Sequence, residues 1–239
     1  MTSRKPLYLK MVESLEVTIR DTMVAHERLP SERELSETFK VSRITVRQAL
    51  KELEARGLIY KLQGKGTFVS SIENVKTDLA SAYSFTDQMR QLGKTPKTTI
   101  LSFEKVKVTP YLATYLDMEV GSEVYELERL RLADGLPLMF ERTYMPIAPF
   151  DGLTQDLLSQ KPLYDIFAQD FAQTIRTAEE EFAASIALDY EAELLEIPKG
   201  SPALHITRRT YNDKNVMIEF TFSIARADQF RYRITHNPS

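Results

Sequence analysis

The sequence predicts an α+β chain in two parts, a small helical head closed by a β-hairpin and a larger body built on an antiparallel sheet. Three observations carry this. Between Tyr8 and Leu53 apolar residues recur every three or four positions; from "TTILSFEKVKV" onward they alternate between turn residues; and a faint repeat at a spacing of 79 residues runs through the second part. The expected division is residues 1–70 for the head, 71–80 for a linker and 81–239 for the body.

The head reads as follows. Pro6 stands where a first helical turn tolerates it, and Tyr8, Met11, Val12, Leu15, Ile19 and Met23 follow on one face. In "PSERE", Ser31 with Glu34 three residues on makes a reciprocal capping box that opens a short second helix through Leu35 and Phe39. Ser42 can cap a third. There Val46, Ala49, Leu50 and Leu53 form an apolar stripe, while Arg43 and Arg47 flank it and Ile44, Gln48 and Lys51 face outward. Gly57 stops this helix, and "LIYKLQGKGTFVS" reads as two short strands joined around a glycine-flanked lysine.

Three helices and a hairpin in this order describe a winged helix-turn-helix, in which the start of the third helix reaches base edges in the major groove. Each residue taken alone is an ordinary surface charge or cap; together they point to DNA. Arg43 and Arg47 can fork onto guanine, Ile44 can touch a thymine methyl, and Ser42 and Thr45 can bond phosphate oxygens. Arg33 is a further phosphate candidate, and Lys65 at the wing tip can follow the backbone or enter the minor groove.

Composition agrees with this division. The 239 residues, 43% hydrophobic and 27% charged, are those of a globular protein, and the absence of cysteine removes disulfides, zinc clusters and thiol nucleophiles together. The net charge of -3 is uneven: residues 1–70 hold 13 Lys and Arg against 9 Asp and Glu, the remainder 18 against 25. A basic head on an acidic body suits a nucleic-acid binder. The opening "MTSRKPLYLK" has no apolar core with a cleavage site, and no run approaches eighteen apolar residues, so a cytoplasmic location without membrane contact is expected.

In the body, "YSFTDQMRQLGKTP" reads as a helix capped by Ser84, with Asp87 three residues on, ending near Gly93. Ser84 is either a plain cap or a phosphate contact, since helix N-termini bind phosphates. Further on, Tyr125, Leu127, Arg129 and Arg131 share one face of a long strand. Roofed by a helix, those arginines need an anion. The "ADG" turn leaves the register open: a two-residue turn sends Glu141 to the other face, whereas a three-residue loop with Gly135 as a bulge sets it beside the arginines. Gly121, Ser122, Arg129 and Asp134 recur 79 positions later as Gly200, Ser201, Arg208 and Asp213, which implies two related helix-hairpin units facing each other across one sheet with a pocket between them.

The stretch "LPSERELSETFKVSRITVRQALKELEARGLIYKLQGKGTFVS" resembles the head of the GntR superfamily of bacterial transcription regulators, over about residues 6 to 70. The resemblance implies operator contacts at Arg33, Ser42, Arg43, Thr45, Arg47, Gly64, Lys65, Gly66 and Thr67. In one departure, "DTMVAHERLP" lacks the glycines that the family places between the first two helices. The body resembles, more loosely and over about residues 80 to 235, the UTRA effector domain of the HutC subfamily, with a chorismate-lyase-like fold. Its amino-sugar regulators imply phosphate binding at Ser84, Arg129, Arg131 and Tyr164, and sugar contacts at Phe85, Thr86, Glu141, Arg176 and Glu219. Here Pro162 replaces a phosphate-binding serine and Ala225 a pocket tyrosine.

These readings converge on a transcription regulator, a repressor that binds a palindromic operator as a homodimer under control of a phosphorylated sugar. Two alternatives compete: a lyase-like enzyme fused to a DNA-binding head, and a DNA binder without a ligand. His26, His205 and His236 are the only histidines; no GxSxG, zinc spacing or nucleotide loop is present, and the glutamates of "AEEEF" are explained by solvated charge. No catalytic residue, metal or cofactor is expected.

Overall fold

Pro6, with its fixed φ, opens the first helix of the computed structural model, which describes residues 6–70, 76–78 and 84–233. Helix α1 (Leu7–Thr22) buries Met11, Val12, Leu15 and Ile19. Helix α2 (Glu32–Phe39) starts on the Ser31–Glu34 capping box and ends at Lys40 in the left-handed conformation. Helix α3 (Arg43–Ala55) is capped by Ser42, whose side chain accepts from the Thr45 N–H, and lays Val46, Ala49, Leu50 and Leu53 into the same core. Gly57, at φ 68°, turns the chain into β1 (Ile59–Leu62), which pairs antiparallel with β2 (Gly66–Val69).

The glycine-poor turn between α1 and α2 has its answer in His26. It takes φ 66°, the left-handed conformation that glycine adopts freely and few other residues do, and its ring Nδ1 lies 2.8 Å from the Tyr60 hydroxyl. Next to it, His26 N–H donates to the Val69 carbonyl and Leu29 N–H to that of Thr67, so the turn forms an edge on the wing.

Most of the stretch read as a linker lies outside the described residues, but Lys76–Asp78 form a short strand, β3. The body begins with α4 (Phe85–Gln91), capped by Ser84, followed by β4 (Pro96–Lys107), α5 (Pro110–Ala113), β5 (Glu123–Ala133) and β6 (Leu136–Pro146). Helices α6 (Gln155–Gln160) and α7 (Leu163–Gln169) lead to β7 (Ile175–Ile186), α8 (Asp189–Leu194), β8 (Pro202–Asn212) and β9 (Met217–Arg226). A final strand, β10 (Arg231–Arg233), runs parallel to β3.

The main sheet has the order β4-β5-β6-β9-β8-β7, antiparallel throughout. This order is the repeat made visible. Strand, short helix and hairpin occur twice, β4-α5-β5-β6 and β7-α8-β8-β9, and the two copies meet where β6 pairs with β9. Helices α4 and α7 cover one face, burying Phe85, Met89, Leu163, Ile166 and Phe167. On the other, Leu112 and Leu116 of the first copy and Ala192, Leu195 and Ile197 of the second make two further clusters.

Candidate functional site

On the head, the outward face of α3 is as the apolar stripe requires. Ser42, Arg43, Ile44 and Arg47 are exposed, Ile44 to 77%, a large apolar side chain left in water among cations. Ser42 Oγ also lies 2.9 Å from Thr45 Oγ1, which fixes the first turn. Arg47 Nε donates to Glu32 on α2 at 2.8 Å, an exposed pair that costs little to open. Arg33 is exposed beside Glu37. At the wing, Gly64 and Lys65 are exposed and Gly66 and Thr67 half-buried; Lys65 pairs at 2.7 Å with Glu196 of the body. Gly66 sits at φ 124°, and a Cβ there would meet the Arg28 side chain at 2.9 Å.

In the body a pocket opens on the sheet face beneath α4 and α7, across the line where the two repeats meet. Register decides its chemistry. Asp134 and Gly135, both at positive φ, make a two-residue turn that pairs Ala133 with Leu136, and a bulge then shifts the pairing between Arg131 and Leu132. Turn and bulge together bring Glu141 opposite Arg129. The sequence offered a short turn or a bulged loop; the chain uses a short turn and places the bulge inside the ladder.

Arg129 and Arg131 are each 7% exposed. Arg129 forms an ion pair with Glu141 at 2.8 Å and donates to the Thr143 hydroxyl at 3.2 Å; Arg131 reaches Glu141 at 3.4 Å and the Thr86 hydroxyl at 3.1 Å, with its guanidinium 4.7 Å from the centre of the Phe85 ring. The Nε of both arginines is buried with no hydrogen-bond partner. Burial pulls Arg131 down to about 10, against the pull of Glu141, so it stays charged at neutral pH. Burial opposes ionisation of Glu141 too, but Arg129, Arg131 and Arg208 outweigh it and hold the carboxyl below its usual value.

Across the seam, Tyr164 of α7 donates to Glu219 at 2.8 Å, and Glu219 also accepts from Thr210 at 2.7 Å and Thr221 at 2.9 Å. Burial above all keeps the Tyr164 phenol protonated. Ser84, Phe85 and Thr86 line the rim from the start of α4, where Ser84 serves as cap and donates to Asp87 at 2.7 Å. The space these groups surround is about 70 Å³, and it shares Thr86, Arg129, Arg131, Pro162 and Leu163 with an adjoining cleft of about 420 Å³.

Of the effector residues expected from sequence, eight therefore line one pocket, and Arg176 does not: it is exposed on β7 outside the lining. The cation on that side is Arg208. It donates to Glu180 through Nε at 2.8 Å and through a second nitrogen at 2.5 Å, and to the Tyr164 hydroxyl at 2.8 Å. Tyr164, Glu180 and Glu219 hold Arg208 well above its usual pKa although burial opposes its charge. The repeat had signalled it, since Arg208 stands 79 positions after Arg129. Glu180, the middle glutamate of "AEEEF", faces this pocket while its exposed neighbours Glu179 and Glu181 do not line it.

Comparison with known proteins fits this geometry. Residues 7–69 match the model of bacterial regulatory proteins of the gntR family, and residues 91–231 match that of the UTRA domain. The HTH-type transcriptional repressor NagR of Bacillus subtilis (strain 168) is 34% identical over 228 residues, 95% of this chain and 93% of that protein. The mannosyl-D-glycerate transport/metabolism system repressor MngR of Escherichia coli (strain K12) is 26% identical over 231 residues, 96% of this chain and 95% of that protein. Among solved structures, PhnF from Mycobacterium smegmatis shares the fold with a TM-score of 0.65 at 24% identity, covering 95% of this chain and 99% of that one. With a gntR-family head at one end and a UTRA domain at the other, the chain belongs to the GntR family with a UTRA domain: it is a DNA-binding transcription regulator and not an enzyme.

Proposed function

We propose that this regulator is a repressor that grips a palindromic operator as a homodimer and is controlled by a phosphorylated sugar in the body pocket. The observation that carries the effector class is the pair Arg129 and Arg131, buried side by side with an unpartnered Nε on each. A buried donor without an acceptor costs about 1–3 kcal/mol, which an anion would recover. The carboxylates Glu141 and Glu219 on either side of the seam suit the hydroxyls of a sugar, as acceptors for its O–H groups. The enclosed space is too small for such a ligand, so it extends into the adjoining cleft, within the several hundred Å³ usual for small-molecule sites.

Phosphate contacts are assigned to Ser84, Arg129, Arg131 and Tyr164, and sugar contacts to Phe85, Thr86, Glu141 and Glu219; Arg176 is left to the surface, where its exposure puts it. The operator face comprises Arg33, Ser42, Arg43, Ile44, Thr45, Arg47, Gly64, Lys65, Gly66 and Thr67, within a head of residues 1–70 joined through 71–80 to the body of 81–239. The relatives NagR and MngR are named as repressors, and MngR for a sugar derivative, which supports both sign and class. Among the described residues no helix is long and apolar enough to cross a membrane, and the protein is assigned to the cytoplasm with its operator.

The test is thermal unfolding against a panel of sugar phosphates, the same sugars without phosphate, and non-sugar carboxylates, with sedimentation to establish the dimer. A ligand at a hundred times its Kd stabilises by about 2.7 kcal/mol. Stabilisation by phosphorylated sugars alone is expected; stabilisation by none of them, or equally by the unphosphorylated forms, would overturn the effector class and leave the DNA-binding role standing.

A further inference from the structure

The wing of the head rests on the body rather than standing clear of it. Lys65 at the wing tip pairs with Glu196 at 2.7 Å, and the backbone N–H of Gln63 donates to the Glu196 carbonyl at 3.2 Å. Glu196 follows α8 and holds φ 53°, so the backbone there is turned sharply. A cleft of about 420 Å³ between wing and body is lined on the body side by Asp189, Glu193, Glu196 and Lys199. Lys199 pairs with Asp189 at 2.5 Å, so the surface that meets Lys65 is predominantly acidic.

A second contact anchors the base of the wing. Tyr60 on β1 is 3% exposed, its ring stacked on Phe68 and its hydroxyl bonded to His26. The guanidinium of Arg226, at the end of β9, lies 5.2 Å from the centre of the Tyr60 ring. Arg226 is completely buried, gripped by Asp228 at 2.8 and 3.1 Å and donating to the Leu195 carbonyl at 3.4 Å. A desolvated guanidinium over a tyrosine face is the stronger form of the cation–π contact. Strand β9 carries Glu219, Thr221 and Ser223 in the pocket lining and Arg226 three residues beyond, so one strand touches both the pocket and the head.

We propose that the wing docks on the body as an autoinhibitory latch, in which Glu196 occupies the Lys65 ammonium that otherwise meets a DNA phosphate. The acidic end of α8 stands in for the nucleic acid, and Arg226 under Tyr60 holds the wing in place. Lys65 cannot serve both partners, so operator binding competes with docking. The inference rests on reading Lys65 as a DNA contact, and the experiment separates the two.

Binding to a duplex operator fragment, at matched ionic strengths, is compared for the full-length protein and for Lys65→Ala and Glu196→Gln. If Lys65 contacts phosphate, Lys65→Ala weakens binding and lowers the salt slope by about 1. If the latch competes, Glu196→Gln tightens binding by about 2- to 5-fold, the worth of an exposed ion pair. An unchanged salt slope for Lys65→Ala removes the DNA contact and with it the latch; a lowered slope there with no gain for Glu196→Gln removes the latch alone. Because the chain has no cysteine, Gln63→Cys with Glu196→Cys gives an independent measure on the exposed backbone contact. Oxidation should form a bond that lowers operator affinity at least tenfold, reversed by reductant. Failure to form the bond, or full affinity in the bonded protein, overturns the proposal.

Discussion

Replacing Arg131 by methionine should cost the protein its effector while leaving the head able to bind DNA. In the folded body Arg131 gives Glu141 a bond at 3.4 Å and Thr86 one at 3.1 Å, and covers the Phe85 ring. Glu141 retains Arg129 at 2.8 Å when Arg131 is removed, so its charge is not left unpaired. Breaking a buried ion pair usually costs about 3–5 kcal/mol through the orphaned partner. Here that penalty is avoided, and the cost of burying a guanidinium whose Nε has no partner disappears with the side chain. The folding cost comes to about 1–2 kcal/mol. Ligand binding loses more: two charge-assisted hydrogen bonds at about 1.5–3 kcal/mol each raise Kd at least roughly 100-fold. Thermal unfolding reads this directly. At a hundred times the wild-type Kd a sugar phosphate stabilises the wild type by about 2.7 kcal/mol and the variant by about 0.4 kcal/mol. A variant that keeps more than half of the wild-type stabilisation would refute the assignment of Arg131 to the anion.

Arg47→Ala should lower discrimination between the operator and a single-base variant by about 1–3 kcal/mol with little change in melting temperature, because the side chain is 68% exposed; unchanged selectivity in competition binding removes it from the reading set. Arg176→Ala should leave the effector response intact and Arg208→Ala should reduce it several-fold in a titration, since only Arg208 lines the pocket; the opposite ranking would restore the expectation drawn from sequence. Gly66→Ala should destabilise the head by about 1–3 kcal/mol, given its positive φ and the approach of Arg28, seen in the urea midpoint of the head's transition. Burial first, then the charge of Lys94, depress the His26 imidazole below its usual 6.5, while Asp134 acts the other way; its ring also meets Tyr60. The unfolded chain therefore binds more protons as pH falls below 6.5, so stability is full above that value, declines beneath it, and levels off once the folded imidazole is protonated. His26→Asn, which tolerates positive φ, should flatten the melting temperature between pH 8 and 5; an unaltered slope would assign the dependence to other groups.

Features written locally were legible in the sequence. The Ser31–Glu34 box, the Ser42 cap and the 3.6-residue stripe of α3 involve neighbours along the chain, and all three form as read. The repeat was legible for the same reason, as an order of elements. Pocket chemistry was less so, because it depends on pairing between distant strands. Glu141 faces Arg129 only through a bulge two residues past the turn, and no residue type announces a bulge there. Glu180 looked like one of three solvated glutamates; its role comes from Arg208 across the ladder, which neutralises it. His26 replaces a helix-joining glycine because Tyr60, 34 residues away, holds its ring.

The meeting line of the two repeats has a mechanical consequence. Strands β6 and β9 are in register only from Met139 to Tyr144 and from Phe220 to Ala225, whereas within each repeat the ladders run nearly the full length of the strands. The body is thus two leaves joined along a six-pair spine and by the apolar clusters laid across it. Arg129 and Arg131 belong to one leaf, and Glu219 and Arg208 to the other. A small molecule held by both would act as a rivet across the spine, setting the angle between leaves, and a molecule that reached only one leaf could bind tightly and signal nothing.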